Sequence, residues 1–126
     1  MDATNYQRLA MRTNDHLATD RLENTIGDNR HTNLDVGGLI NASLGLSGES
    51  GEVNDMIKKW IFHEKELDLV HLEKEIGDVC WYIAMMCEAF GFDLGEIMKI
   101  NIEKLMARYP QGFDPERANN RPIGDV

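Results

Sequence analysis

Two acidic pairs hold the residues of this chain best suited to chemistry: Glu49-x-x-Glu52 and Glu75-x-x-Asp78. In a helix, a spacing of three sets both carboxylates of a pair on one face, about one turn apart. Carboxylates so placed can ligate a single oxygen-preferring cation such as Mg²⁺, with Mn²⁺ as a substitute. Spacing alone selects nothing, because the 22 acidic residues also produce Asp20/Glu23, Glu52/Asp55 and Asp93/Glu96. Context separates the two pairs. Asp78 is followed by VCWYIAMMCEAF, so its helix is apolar nearly all round and is expected to be largely buried. An unpaired carboxylate there costs several kcal/mol. Glu49 and Glu52 lie in GLSGESGEV, whose glycines leave room for close contacts. The rival readings are a solvated acidic face or, for Asp78, a structural ion pair with Lys74 one turn earlier.

Further polar positions extend these faces. Lys59 is seven residues beyond Glu52, and Tyr82 seven beyond Glu75, so each lies two turns along its carboxylate stripe. Asn101, Lys104 and Arg108 fall at i, i+3 and i+7, beside an apolar stripe of Met98, Ile102, Leu105 and Tyr109. Alone, that polar stripe is a solvated face. Opposite four carboxylates and a metal-bound polyphosphate, it would supply phosphate and sugar contacts. No phosphate loop of the GxxxxGK[ST] type and no Ser/His or Cys/His constellation occurs. The four histidines (16, 31, 63 and 71) are scattered and are read as solvated or structural.

Helices must position these residues, since period-two alternation is almost absent and proline occurs only at 110, 115 and 122. A short helix is expected around Tyr6 to Thr13; residues 14 to 33 are polar and weakly periodic, and their structure is left open. From about Asp35, apolar residues recur at helical spacing up to Phe62, interrupted by glycines 45, 48 and 51. Those glycines suggest a kink or the close approach of another backbone. Next, a helix capped by Asp68 runs to Phe90, with Gly91 as a left-handed stop. Asp93 and Glu96 resemble a capping box that opens a last helix, which ends before Pro110. Residues 114–126 read as a polar coil, pinned at most by Phe113. The whole of 1–126 is one domain with its motif-bearing core at about 35–113. The expected fold is an all-α helical bundle. Its amphipathic helices bury little core alone, so homo-oligomerisation (dimer or tetramer) is expected to complete it.

Composition narrows the function. A net charge of −9 disfavours unaided binding to nucleic acid or an anionic membrane, and an acidic protein that handles polyphosphate needs a bound cation. The apolar runs are too short to span a bilayer, and no basic segment followed by an apolar one opens the chain. Cys80 and Cys87, seven residues apart on one helix, lie about 10 Å apart. That exceeds the ~7 Å limit for a disulfide, so they read as reduced core thiols in a cytoplasmic protein.

The runs GLSGESGEVNDMIKKW, EKEIGDVCWYIAMMCEAFG and NIEKLMARYP together resemble the MazG family of all-α NTP pyrophosphohydrolases, within the dCTPase/dUTPase-like superfamily. The family signature, E-x-x-E, a spacer, then E-x-x-D, falls here on Glu49, Glu52, Glu75 and Asp78. The resemblance implies a bundle built from dimers, often dimers of dimers, with Mg²⁺ held by those four acids. It implies hydrolysis of a nucleoside triphosphate between the α and β phosphates. Asn101 and Lys104 correspond to positions that touch substrate; Lys59, Tyr82 and Arg108 are added to them from their stripes. A dUTPase-like or phosphoribosyl-ATP-hydrolysing relative would use the same metal cradle. Two readings from other classes fit less well. A di-iron carboxylate bundle would add Glu-x-x-His, which is absent, and a non-catalytic helical interaction module leaves the acids within an apolar helix unexplained.

Overall fold

An aspartate side chain caps five of the six helices, each accepting a hydrogen bond from a first-turn amide. Asp2 opens α1 (Ala3–Ala10), Asp35 α3 (Val36–Phe62), Asp68 α4 (Leu69–Phe90), Asp93 α5 (Leu94–Arg108) and Asp114 α6 (Pro115–Asn119). The exception, α2 (Ala18–Asp28), has Leu17 at its cap position; just before it, Asp15 accepts from the Leu17 amide and pairs with Arg21. The computed structural model describes residues 1–126 and is all-helical, with no strand.

The expected elements appear with three corrections. The first helix begins at Ala3, because Asp2 caps it, and only its end, Met11–Thr13, tightens to 3₁₀. Residues left open contain α2, whose start is set by local polar contacts rather than by periodicity. The tail is not coil pinned by Phe113, which is exposed. It forms α6, and Asp125 then returns to Arg108 on α5.

α3 runs unbroken through Gly45, Gly48 and Gly51, so no kink forms. Only Gly45 is required by packing: the Tyr82 ring of α4 sits where its Cβ would project, and nothing approaches Gly48 or Gly51. The close approach is therefore by a side chain, not by another backbone. α3 and α4 lie antiparallel and supply nearly all the packing between helices. Their open ends are joined by a hydrogen bond from the Asp35 amide to the Ala89 carbonyl at 3.1 Å. α4 stops at Gly91 (φ 69°), and the Phe92 amide bonds back to the Cys87 carbonyl at 2.9 Å, a Schellman closure.

Beyond this pair the chain is open. Only five of 126 residues are buried, and the surface is 10422 Å², against about 6,800 Å² for a compact monomer of this mass. Trp60, Ile61, Ile76 and Trp81 remain exposed on α3 and α4, as do Met98, Ile102 and Met106 on α5. The expected burial of the Asp78 helix is thus not achieved within one chain. Cys80 is likewise exposed whereas Cys87 is buried, and both are free thiols. No helix is long and apolar enough to cross a membrane.

The Tyr82 contact predicts opposite effects for two alanine substitutions. Gly45→Ala forces the ring aside and should cost about 1–3 kcal/mol. Gly48→Ala, in open space, should gain about 0.5–1 kcal/mol. Chemical denaturation of the two variants beside the parent checks both signs.

Candidate metal centre

The antiparallel pairing brings acids from both helices to one seam. Glu49 on α3 and Glu75 and Asp78 on α4 each offer a carboxylate oxygen, all three within 4.8 Å of one another. The packing that does this is local. Gly45 is one turn before Glu49, Tyr82 one turn after Asp78, and the two meet across the helix pair. Glu49 and Glu75 are half-buried and Asp78 is exposed.

No lysine or arginine neutralises the trio. The lysines and arginines in ion pairs are Lys59, Lys99, Arg21, Arg108 and Arg117, each bound to an acid elsewhere, and the one basic side chain against the trio is His71, on Glu75. Lys74 makes no pair with Asp78, which removes the structural ion pair as an account of that residue. Burial raises the Glu49 carboxyl above the usual carboxylate range. A hydrogen bond with Glu75 and the charges of Asp78, Glu75 and Glu52 push the same way. The trio therefore concentrates negative charge that no lysine or arginine relieves, and a divalent cation would relieve it. The donor set fits such an ion: oxygens about 2.0–2.1 Å from Mg²⁺ stand ~3 Å apart when adjacent and ~4 Å when opposite. The observed spread of up to 4.8 Å exceeds that range by less than ~1 Å, a gap that side-chain rotation would close.

Glu52 lies outside the trio. It lines an adjoining groove of about 260 Å³ with Asp55, Lys59, Lys65, Asp68 and His71. Lys59 is turned to Asp55, and the Lys65 amide bonds to the Lys59 carbonyl at 3.1 Å, closing the α3–α4 connection. Tyr82 packs on Gly45 and meets Trp81 edge-on, with ring centroids 5.0 Å apart. The α5 stripe stands apart. Asn101 is exposed, Lys104 donates to the Val126 carbonyl at 3.0 Å, and Arg108 pairs with Asp125. Lys104 and Arg108 line a separate cavity between α5, α6 and residues 122–125.

One neighbour of the trio escaped the sequence reading. His71 Nε2 lies 2.6 Å from Glu75 Oε1, a contact that fixes one metal-facing carboxylate. Its signal was available, since His71 and Glu75 are four apart on one helix face.

Acids from two antiparallel helices converging on one seam define a helical carboxylate protein suited to a divalent cation. Residues 40–113 match the MazG nucleotide pyrophosphohydrolase domain, and the chain belongs to that family. It is also similar to the Gene 37 protein of Mycobacterium phage L5, with 31% identity over 91 residues, 68% of this chain and 79% of the phage protein. No solved structure matches the chain.

Burial of Glu49, reinforced by charge crowding, sets the sign of a pH effect. Its folded pKa is raised, so the ionised form is the costly one; the cost is present at neutral pH and lost as pH falls through that raised value. In chelator, Glu49→Gln should raise the melting temperature at neutral pH, and the gain should shrink toward acid pH as parent Glu49 takes up its proton. Melting curves between about pH 4 and 8 test this.

Proposed function

We propose that this chain is a divalent-metal-dependent nucleoside triphosphate pyrophosphohydrolase, converting a (deoxy)nucleoside triphosphate and water to the monophosphate and pyrophosphate. The observation that carries this reading is the convergence of Glu49, Glu75 and Asp78 with no lysine or arginine partner, in a family named for nucleotide pyrophosphohydrolysis. Glu49, Glu75 and Asp78 would hold Mg²⁺, or Mn²⁺ in its place. An ion held there would supply charge neutralisation for the triphosphate, polarisation of the α-phosphorus and a lowered pKa for the attacking water. Glu52, one turn from Glu49 and facing the groove, is the carboxylate free to orient that water and accept its proton. Lys59 borders the same groove and is placed to meet phosphate oxygens once released from Asp55. His71 holds Glu75 in position. The proposed role is removal of unwanted nucleotides from the cytoplasmic pool, by a single domain whose core is about 35–113.

The site is incomplete in one chain. Its groove of about 260 Å³ is smaller than the ~300–1,000 Å³ of ordinary small-molecule sites, and the α5 stripe lies away from the acids. A homo-oligomer would cover the exposed apolar faces of α3, α4 and α5 and close the groove with a second chain. Asn101, Lys104 and Arg108 would then reach substrate as part of the assembly. Light scattering should give at least twice the 14.3 kDa chain mass, and a stable folded monomer at micromolar concentration would refute the shared core.

Asp78→Asn separates metal ligand from structural acid. It keeps size and hydrogen-bonding capacity but removes one of the clustered charges. Pyrophosphate release from a panel of canonical and damaged (d)NTPs should fall by at least ~100-fold, with assembly mass unchanged and metal-free stability equal or higher. Full turnover in a destabilised variant would overturn the assignment. So would full activity in excess chelator, or products that are diphosphate and orthophosphate.

A further inference from the structure

The densest positive charge on this acidic chain lies away from the carboxylate seam. Lys104, Arg108 and Arg117 line a cavity of about 390 Å³ with residues 122–125, and Arg121 adjoins it. Arg108 is the anchor: its side chain is only 9% exposed, and Tyr109 offers its ring face 5.9 Å from the guanidinium. A guanidinium so deeply placed needs an anionic partner, and a planar fork suits a carboxylate or a phosphate equally. Here the partner comes from within. Asp125 receives two parallel hydrogen bonds, from Arg108 Nε at 2.8 Å and from the second guanidinium nitrogen at 2.5 Å.

Presentation of Asp125 is built into the local sequence. Pro122, Ile123, Gly124 and Asp125 form a turn in which the Asp125 amide bonds to the Pro122 carbonyl at 3.1 Å. Gly124 takes φ 90°, as the third position of a type II turn requires. Yet the segment has no apolar anchor. Ile123 and Val126 are exposed to water, and besides Asp125 the segment is held by one hydrogen bond from Lys104 to the Val126 carbonyl. Its hold is ionic and local, so it can be exchanged for a stronger anion.

We propose that residues Arg121–Val126 form a displaceable strap. Its Asp125 carboxylate occupies, from inside the chain, an anion site made by Arg108 and Lys104, and a phosphate-bearing ligand opens the strap by taking that place. The exchange involves no bond-making or proton transfer: one anion leaves the guanidinium fork and another enters. It does not depend on which reaction the acids of α3 and α4 catalyse.

The test is direct binding in chelator, where hydrolysis plays no part. Inorganic pyrophosphate and a nucleoside triphosphate are titrated by calorimetry into the full chain, while amide NMR signals of residues 121–126 report mobility. Pyrophosphate should bind and sharpen those signals. Asp125→Asn should bind it roughly tenfold more tightly, as when a strap closed about nine-tenths of the time is removed. Arg108→Gln should lose binding. Lys104→Gln, at an exposed position, gives the same answer if the Arg108 variant fails to fold. Equal binding of both anions indicates recognition of phosphate alone, and much tighter binding of the triphosphate indicates a nucleotide on the strap site; either supports the exchange. Pyrophosphate binding no tighter in Asp125→Asn than in the parent, a strap that stays rigid at saturation, or undiminished binding in Lys104→Gln overturns it. The hydrolase reading fails separately, through loss of neither activity nor metal dependence in Asp78→Asn.

Discussion

Antiparallel pairing of α3 with α4 is the interaction on which the remaining structure depends. A six-residue connection, residues 63–68, returns the chain, and the Asp35 amide bonded to the Ala89 carbonyl closes the other end. Between those two ties, side chains separated by about 25 residues in sequence become neighbours. Neither acidic pair is a site on its own helix. Burial does most to raise the proton affinity of Glu49, and Glu75 and Asp78, delivered by α4, raise it further. The packing of α3 on α4 must outweigh that repulsion.

The same pairing leaves a surplus of apolar surface. A two-helix layer has two faces, and here a second layer is not provided by α1, α2 or α5. Covering apolar side chains is favourable at ~25 cal/mol per Å², so exposed residues such as Trp60, Trp81 and Met106 hold unused burial. The acids of the seam and the basic residues beside α5 occupy different regions, so the molecule is polarised rather than uniformly acidic.

Much of this was legible in the residues. Asp68, Gly91 and Asp93 announce helix boundaries because caps are local and chemically specific, and the structure uses each as expected. The acidic pairs were identifiable because their surroundings, rather than their spacing, were unusual. Other features were illegible for physical reasons. α2 lacks an apolar stripe strong enough to stand out, and depends on Asp15 and Arg21, which only its folded geometry brings together. The Arg108–Asp125 pair spans 17 residues and a turn, so periodicity says nothing of it, although Pro-Ile-Gly-Asp is a readable turn. The expected burial of the Asp78 helix failed because apolarity states what a surface needs and not whether its own chain supplies it.

Tyr82 seated over Gly45 has a further consequence, one of mechanical tolerance. Paired helices behave as levers about their tightest contact, and displacement grows with distance from it. Glu49 and Asp78 stand about one turn away, ~6 Å, and Glu75 two turns, ~10.5 Å, so a 10° splay of α4 against α3 would move them by ~1 Å and ~2 Å. At Phe62, 17 residues from Gly45 and ~26 Å along the axis, the same splay would exceed ~4 Å. Placing the pivot beside the carboxylates therefore lets the distal helix ends flex while the carboxylates shift by half that distance or less.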